Sequence, residues 1–233
     1  MINKISKVAA ASIACILFST NPALAWPEFE KSVRMEATWA AEHIVYNGMP
    51  MRIENFECQC QVDDVLDFYR ARWSRLTHGY VENDLGLFQQ ISRGTQRFFF
   101  SVQVRAEDLD ASASVGRLSI MKLPQRESDL LALGSDVPRF DGSEVITDIQ
   151  DAVPGKRIRT VTLANSRSLV DNRNYYEKQY SPMLGWEPLL VPISPERGNQ
   201  ALSFQRRDVE INIVLYSSRL GTNVLFNEVK RVF

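Results

Sequence analysis

The stretch RFFFSVQVR, Arg97–Arg105, decides the fold of this chain because its apolar and polar residues alternate. The stretch VEINIVLY, Val209–Tyr216, shows the same pattern near the other end of the sequence. Successive side chains of a strand point to opposite faces, so this alternation is typical of an antiparallel sheet with one buried face. Asn47-Gly48 is a strong hairpin-turn signal, and it predicts two further strands, Ala41–Tyr46 and Met49–Phe56.

Two segments show a helical period instead. In Val62–Leu76 apolar residues recur three and four positions apart, and acidic residues precede basic ones, as the helix dipole favours. A second helix is predicted over Leu169–Leu184, where Ser168 and Asp171 fit a capping box. Apolar and aromatic residues at this spacing are more often core than ligand platforms, so we expect each helix to pack on a sheet.

The same order of features occurs twice along the chain. In both copies a strand leads into a helix, then into a glycine and an aromatic residue, Gly79-Tyr80 or Gly185-Trp186, and then into further strands. We therefore predict an α+β fold: a tandem duplication of a helix packed on an antiparallel sheet, after an N-terminal signal peptide. The predicted domains are a signal peptide (1–25), a first repeat with an N-terminal hairpin (26–123), a linker (124–155) and a second repeat (156–233).

Residues 1–25 have the features of a secretory signal peptide. A positively charged start, an apolar run and the small-x-small sequence Ala23-Leu24-Ala25 follow one another in order. The run is too short to span a bilayer as a helix. We expect cleavage after Ala25 and a periplasmic or secreted bacterial protein. A lipoprotein modified at Cys15 is the less favoured alternative, because Ser12 stands where a bulky aliphatic residue is usual.

Composition and motifs argue against several function classes. The chain carries 27 basic and 28 acidic residues, so no basic surface for nucleic acid is expected. It has two histidines and lacks the Gly-x-Ser-x-Gly, Walker and Gly-x-Gly-x-x-Gly motifs. Asp108 and Asp110 begin a sequence like a calcium loop, but Ala113 replaces the glycine that such a loop needs. We expect neither catalytic residues nor a cofactor.

Cys58-Gln59-Cys60 is the feature with the most chemical character. Three interpretations stay open. The cysteines are two small buried hydrophobes, a strained and redox-labile disulfide, or part of a soft-metal site completed by His78 or by Met49 and Met51. In a regular strand, residues 58 and 60 share a face but lie somewhat too far apart for a comfortable disulfide. We expect a structural role, and we keep Cys58, Cys60 and His78 as the candidate metal ligands.

The predicted function is that of a non-enzymatic binding or assembly accessory protein, which acts on a protein partner in the cell envelope. Val214 and Tyr216 form the candidate partner surface, because they leave apolar groups on the nominally exposed side of their strand. The other interpretation is that the first repeat covers these two residues.

Two alternative functions remain. One is redox or soft-metal handling at Cys58 and Cys60, and the other is hydrolysis by scattered Asp and Glu residues, whose separation the fold would set. Neither nucleic-acid binding nor a stable membrane span is expected. The sequence leaves the oligomeric state open.

Overall fold

The computed structural model describes residues 26–77, 79–107, 112–126, 132–190, 199–219 and 221–232. Lys31–Phe233 form one compact unit, and its strands belong to a single antiparallel sheet. The predicted signal peptide with its cleavage site, Cys15 and His78 lie outside the described residues.

The described residues form twelve strands and two α-helices. The strands are β1 (Met35–Tyr46), β2 (Met49–Cys58), β3 (Val81–Asp84), β4 (Gln89–Gly94), β5 (Phe98–Ala106), β6 (Ser114–Lys122), β7 (Glu144–Val153), β8 (Lys156–Asn165), β9 (Glu187–Pro188), β10 (Gln200–Arg206), β11 (Val209–Ser218) and β12 (Gly221–Arg231). The helices are α1 (Val62–Trp73) and α2 (Leu169–Gln179). Neither described helix is long and apolar enough to cross a membrane.

The strand order in the sheet is β3-β4-β5-β6-β2-β1-β7-β8-β12-β11-β10-β9. We call β1 to β6 with α1 the first half, and β7 to β12 with α2 the second half. Read outward from the junction of β1 with β7, the two halves have the same order of strands. The predicted duplication requires this shared order, but the duplication itself stays a prediction.

The predicted α+β fold class is wrong. The protein is mostly antiparallel sheet, and its helices of 12 and 11 residues are minor elements rather than one layer of two tandem units. The halves share one sheet because their first strands pair, Val45 with Gln150 and Tyr46 with Ile149. Strand β7 lies within the range that the sequence predicts as a linker. Both helices also end before their predicted last residues.

The predicted hairpin is confirmed. Asn47 and Gly48 connect β1 to β2, and both have positive φ, +48° and +79°. A two-residue turn of this kind matches the twist of the strands that it joins, and asparagine followed by glycine adopts it readily. The paired strands extend beyond the predicted ranges, to Met35 and Cys58.

Both helices pack on one face of the sheet, which we call the helix face. In the first half, Arg93 lies over the rings of Trp73 of α1 and Phe100 of β5. In the second half, Tyr176 of α2 belongs to a buried cluster with Ile213 and Phe226. The residue pairing across β2, β1, β7 and β8 shows that the helix faces of the two halves are on the same side of the sheet.

The opposite face of the sheet, which we call the open face, carries no described helix. Alternation along the strands places on it, among others, Asn55, Ser101, Arg117, Thr162, Val214 and Asn227.

Residues 132–140, which belong to the predicted linker, pack on the second half. Val137 belongs to the buried cluster of that half. The ring of Phe140 lies 4.4 Å from the ring of Tyr175, whose hydroxyl donates to the carbonyl oxygen of Arg139 at 2.9 Å. Residues 132–140 therefore cover part of the helix face rather than joining two separate bodies.

Candidate functional site

The candidate partner residues Val214 and Tyr216 lie on the open face of β11, and both are half-buried. Val214 is paired with Ala201 on one side and Leu225 on the other, and Tyr216 is paired with Asn223. Because the halves join edge to edge through β1 and β7, the open faces of both halves belong to the same side of one sheet. The structure thus places the two residues together on one surface.

Several residues near Val214 and Tyr216 on the open face, on β7, β8 and β12, are polar but uncharged. The hydroxyl groups of Thr147 and Thr162 are 2.9 Å apart, and the amide of Asn227 donates to the hydroxyl of Thr160 at 2.9 Å. Sequence reasoning found Val214 by alternation, but it did not connect these threonines and asparagines, because their strands meet only in the folded sheet.

A cleft of about 320 Å³ lies on the open face of the first half. Its walls include two acidic residues, Glu36 and Glu57, and two arginines, Arg105 and Arg117. None of these four forms an ion pair with another described residue within 4.0 Å. The cleft is therefore lined by both acidic and basic side chains that are not paired with one another.

Cys58 and Cys60 are joined by a disulfide. Their Cα atoms are 5.1 Å apart, closer than in a regular strand, because β2 ends at Cys58 and the chain bends before α1. Both residues are buried, and the Ser114 hydroxyl lies 3.8 Å from the Cys60 sulfur. A disulfide leaves no thiolate for a metal ion, and the described residues contain no group of three or more potential metal ligands.

We expect replacement of both cysteines by serine to lower the free energy of unfolding by about 2 kcal/mol, because the short covalent loop no longer restricts the unfolded chain. Urea unfolding of the two proteins measures the difference. A reductant should destabilise the natural protein towards the level of the variant and leave the variant unchanged. Equal stability of both proteins under oxidising conditions would contradict the prediction.

The buried Asp148 and the partly buried Arg159 form an ion pair on the helix face. The Arg159 guanidinium donates to both carboxylate oxygens of Asp148, at 2.6 and 3.0 Å, and the Gly134 amide adds a bond of 2.8 Å. Burial by itself would raise the pKa of Asp148, but these hydrogen bonds outweigh it and hold the pKa below its usual value. Sequence reasoning missed the pair, because Asp148 lies in the range predicted as a linker.

The same cluster fixes the junction between the halves. The backbone amide of Asn47 donates to the carbonyl oxygen of Asp148 at 2.8 Å, and the Asp148 amide donates to the Asn47 side chain at 2.8 Å. Arg159 also donates to the carbonyl oxygen of Ser135 at 2.8 Å. This arrangement supports structure, because both charged groups have hydrogen-bond partners within the protein.

A second group with a shifted pKa lies near the β3 edge of the sheet. The Arg70 guanidinium of α1 donates to both carboxylate oxygens of Glu82, at 2.7 and 2.6 Å. These hydrogen bonds lower the pKa of Glu82 and raise that of Arg70. A carboxyl group held ionised in this way is a poor proton donor at neutral pH.

Burial raises the pKa of Tyr176 and of Tyr180 above that of an ordinary tyrosine. Tyr180 stacks on Phe204 with 5.3 Å between ring centroids, as a core residue does. These phenols are therefore part of the packing between α2 and the sheet. No family model, curated protein or solved structure matches this chain.

Proposed function

We propose that the chain is an exported protein that binds a protein partner through the open face of its second half, without turning over a substrate. One observation carries the proposal. Val214 and Tyr216 present apolar groups within a neutral surface of threonines and asparagines, on a face that no described helix covers. Surfaces with apolar groups, aromatic groups and few central charges are typical of protein interfaces.

Two independent features support export. The first 25 residues have the order of features of a secretory signal peptide. The disulfide between Cys58 and Cys60 suits an oxidising compartment, such as the periplasm or the outside of the cell. The disulfide also supports binding over metal handling, because both sulfurs are buried and already joined.

The ion pairs support a role other than hydrolysis. Among the described residues, the two carboxyl groups with shifted pKa values are Asp148 and Glu82. Each is bonded to an arginine, and both shifts are downward. A general acid needs the opposite shift, towards neutral pH. These downward shifts support binding over hydrolysis.

Site-specific photo-crosslinking in the producing cells tests the proposal. A photoreactive residue at position 214 or 216 should give one discrete cross-linked species with another protein. Val170, an apolar α2 residue that is 59% exposed, is the matched control position away from this face, and it should give no such species. The same products from position 170 would contradict a specific surface.

The variant Val214→Asp with Tyr216→Asp should abolish partner capture while the protein stays folded. Single substitutions usually cost about 0.5 to 3 kcal/mol, and both positions keep contact with water, which hydrates the new carboxylates. Partner capture and the thermal unfolding midpoint are measured separately. Unfolding of the variant would place these side chains in a core instead, and unchanged capture would remove them from the interface.

A further inference from the structure

We propose that the outer edge of β1, from Glu36 to Trp39, accepts an extended basic segment of a partner protein as an added strand. Among the described residues, β7 pairs with β1 only at Val45 and Tyr46, whereas β2 pairs regularly with Met35–Trp39 on the other side. Every second residue of an antiparallel strand directs both its N–H and its C=O towards the same neighbour. An added strand satisfies such groups by main-chain hydrogen bonds.

The charges nearest this edge are acidic. Of the four charged residues around the cleft, Glu36 lies on β1 and Glu57 on β2, whereas Arg117 on β6 and Arg105 on β5 lie further away. Glu36 lies directly opposite Glu57 of β2, both are exposed, and neither has an ion-pair partner in the described chain. Like charges opposite each other across two strands destabilise the pair. A lysine or arginine of an added strand would stand beside Glu36 and reach Glu57. A second copy of β1 would bring further acidic groups to the same place.

Trp39 supplies an apolar anchor on the other face of the edge. It is 51% exposed, and it is the only exposed aromatic residue in the described ranges. Exposed tryptophans of this kind commonly carry much of the energy of a protein interface. The pairing with β2 shifts register between Trp39 and Ala41, and such a bulge ends the regular part of the edge. The occupant is therefore a short segment with basic residues on one side and an apolar residue on the other.

This inference deepens the proposed protein binding, but it concerns a different surface from Val214 and Tyr216. β1 and β11 are separated by β7, β8 and β12 in the sheet. The two surfaces can therefore be tested separately. Failure of crosslinking at position 214 would contradict the proposed function without contradicting strand addition at β1.

Fluorescence anisotropy with labelled peptides tests the edge on the purified protein. The probe is a capped peptide of alternating lysine and valine, which should bind in a salt-sensitive way. Two controls are an alternating glutamate–valine peptide and the lysine–valine peptide with N-methyl groups on alternate residues. Both should bind at least about tenfold more weakly, because the first reverses the charge and the second blocks main-chain hydrogen bonds.

Charge reversal in the protein completes the test. Glu36→Lys with Glu57→Lys should weaken lysine–valine binding by about tenfold or more and allow the glutamate–valine peptide to bind. Glu210→Lys, a change on the open face of β11, is the matched control and should leave binding unchanged. Equal binding of the N-methylated peptide would overturn strand addition. Equal loss with Glu210→Lys, or no binding of the lysine–valine peptide, would overturn the site.

Discussion

Replacing Arg159 with methionine is expected to lower the free energy of unfolding by about 3 to 5 kcal/mol. The reason is that Asp148, which is 2% exposed, would keep its charge without the two hydrogen bonds that compensate its burial. Arg157→Met is the matched control: Arg157 is exposed on the same strand, and its loss should change stability by less than about 0.5 kcal/mol. Chemical denaturation of the three proteins measures both differences. Similar stability of the two variants would show that the ion pair does not hold the junction.

The pH dependence of stability should report the same pair. Because the pKa of Asp148 is lower in the folded protein than in the unfolded chain, its contribution is fully present above the unfolded value of about 3.9. That contribution falls away as the pH drops through the lower, folded pKa. In Asp148→Asn this part of the acid sensitivity should be absent. An identical slope of stability against pH for both proteins below about pH 4 would contradict the assignment.

Gly116→Ala is expected to cost about 3 kcal/mol, the upper end of what overpacking usually costs. A Cβ atom at Gly116 would lie 2.6 Å from two ring carbons of Phe56 and would also collide with the Gln103 carbonyl oxygen. Phe56 is 2% exposed, and the backbone oxygen belongs to the paired strand β5, so neither can move freely.

Gly94→Ala provides the comparison for Gly116. Gly94 also lies in a strand without positive φ, but nothing would lie within 4 Å of an added Cβ atom. We expect this variant to be as stable as the natural protein or slightly more stable. Thermal unfolding of both variants should separate them by several degrees. Equal midpoints would mean that the sheet relaxes around the new methyl group.

The sequence predicted local structure better than it predicted how the strands assemble. Alternation in Arg97–Arg105 and Val209–Tyr216 found β5 and β11, because each has one face in the core. By contrast, β3 is exposed along its whole length and has no such pattern. The fold class was wrong because the join between the halves depends on two residue pairs of β1 and β7, which leave no periodic signal in the sequence.

The candidate site was predictable in part for the same reason. Alternation could identify Val214 as a residue on the non-core face of β11, because that requires only the pattern of one strand. The pairing of Glu36 with Glu57, and of Asp148 with Arg159, depends on register between strands, which sequence spacing does not fix. The sequence does not predict the disulfide clearly, because residues 59 and 60 form a bend, where the Cα atoms of Cys58 and Cys60 lie closer than in a regular strand.

The strand order has a consequence for how the chain reaches its native state. In each half the strand that comes last in the sequence is inserted between two earlier ones: β6 between β5 and β2, and β12 between β11 and β8. Each half thus closes by pairing segments that are distant in sequence, which is typical of slow folding. Before the last strand pairs, the two strands on either side of its position have unpaired edges. In the second half these are the edges of β8 and β11, and β12 of another molecule can pair with them. Refolding at high concentration therefore favours strand-exchanged assemblies.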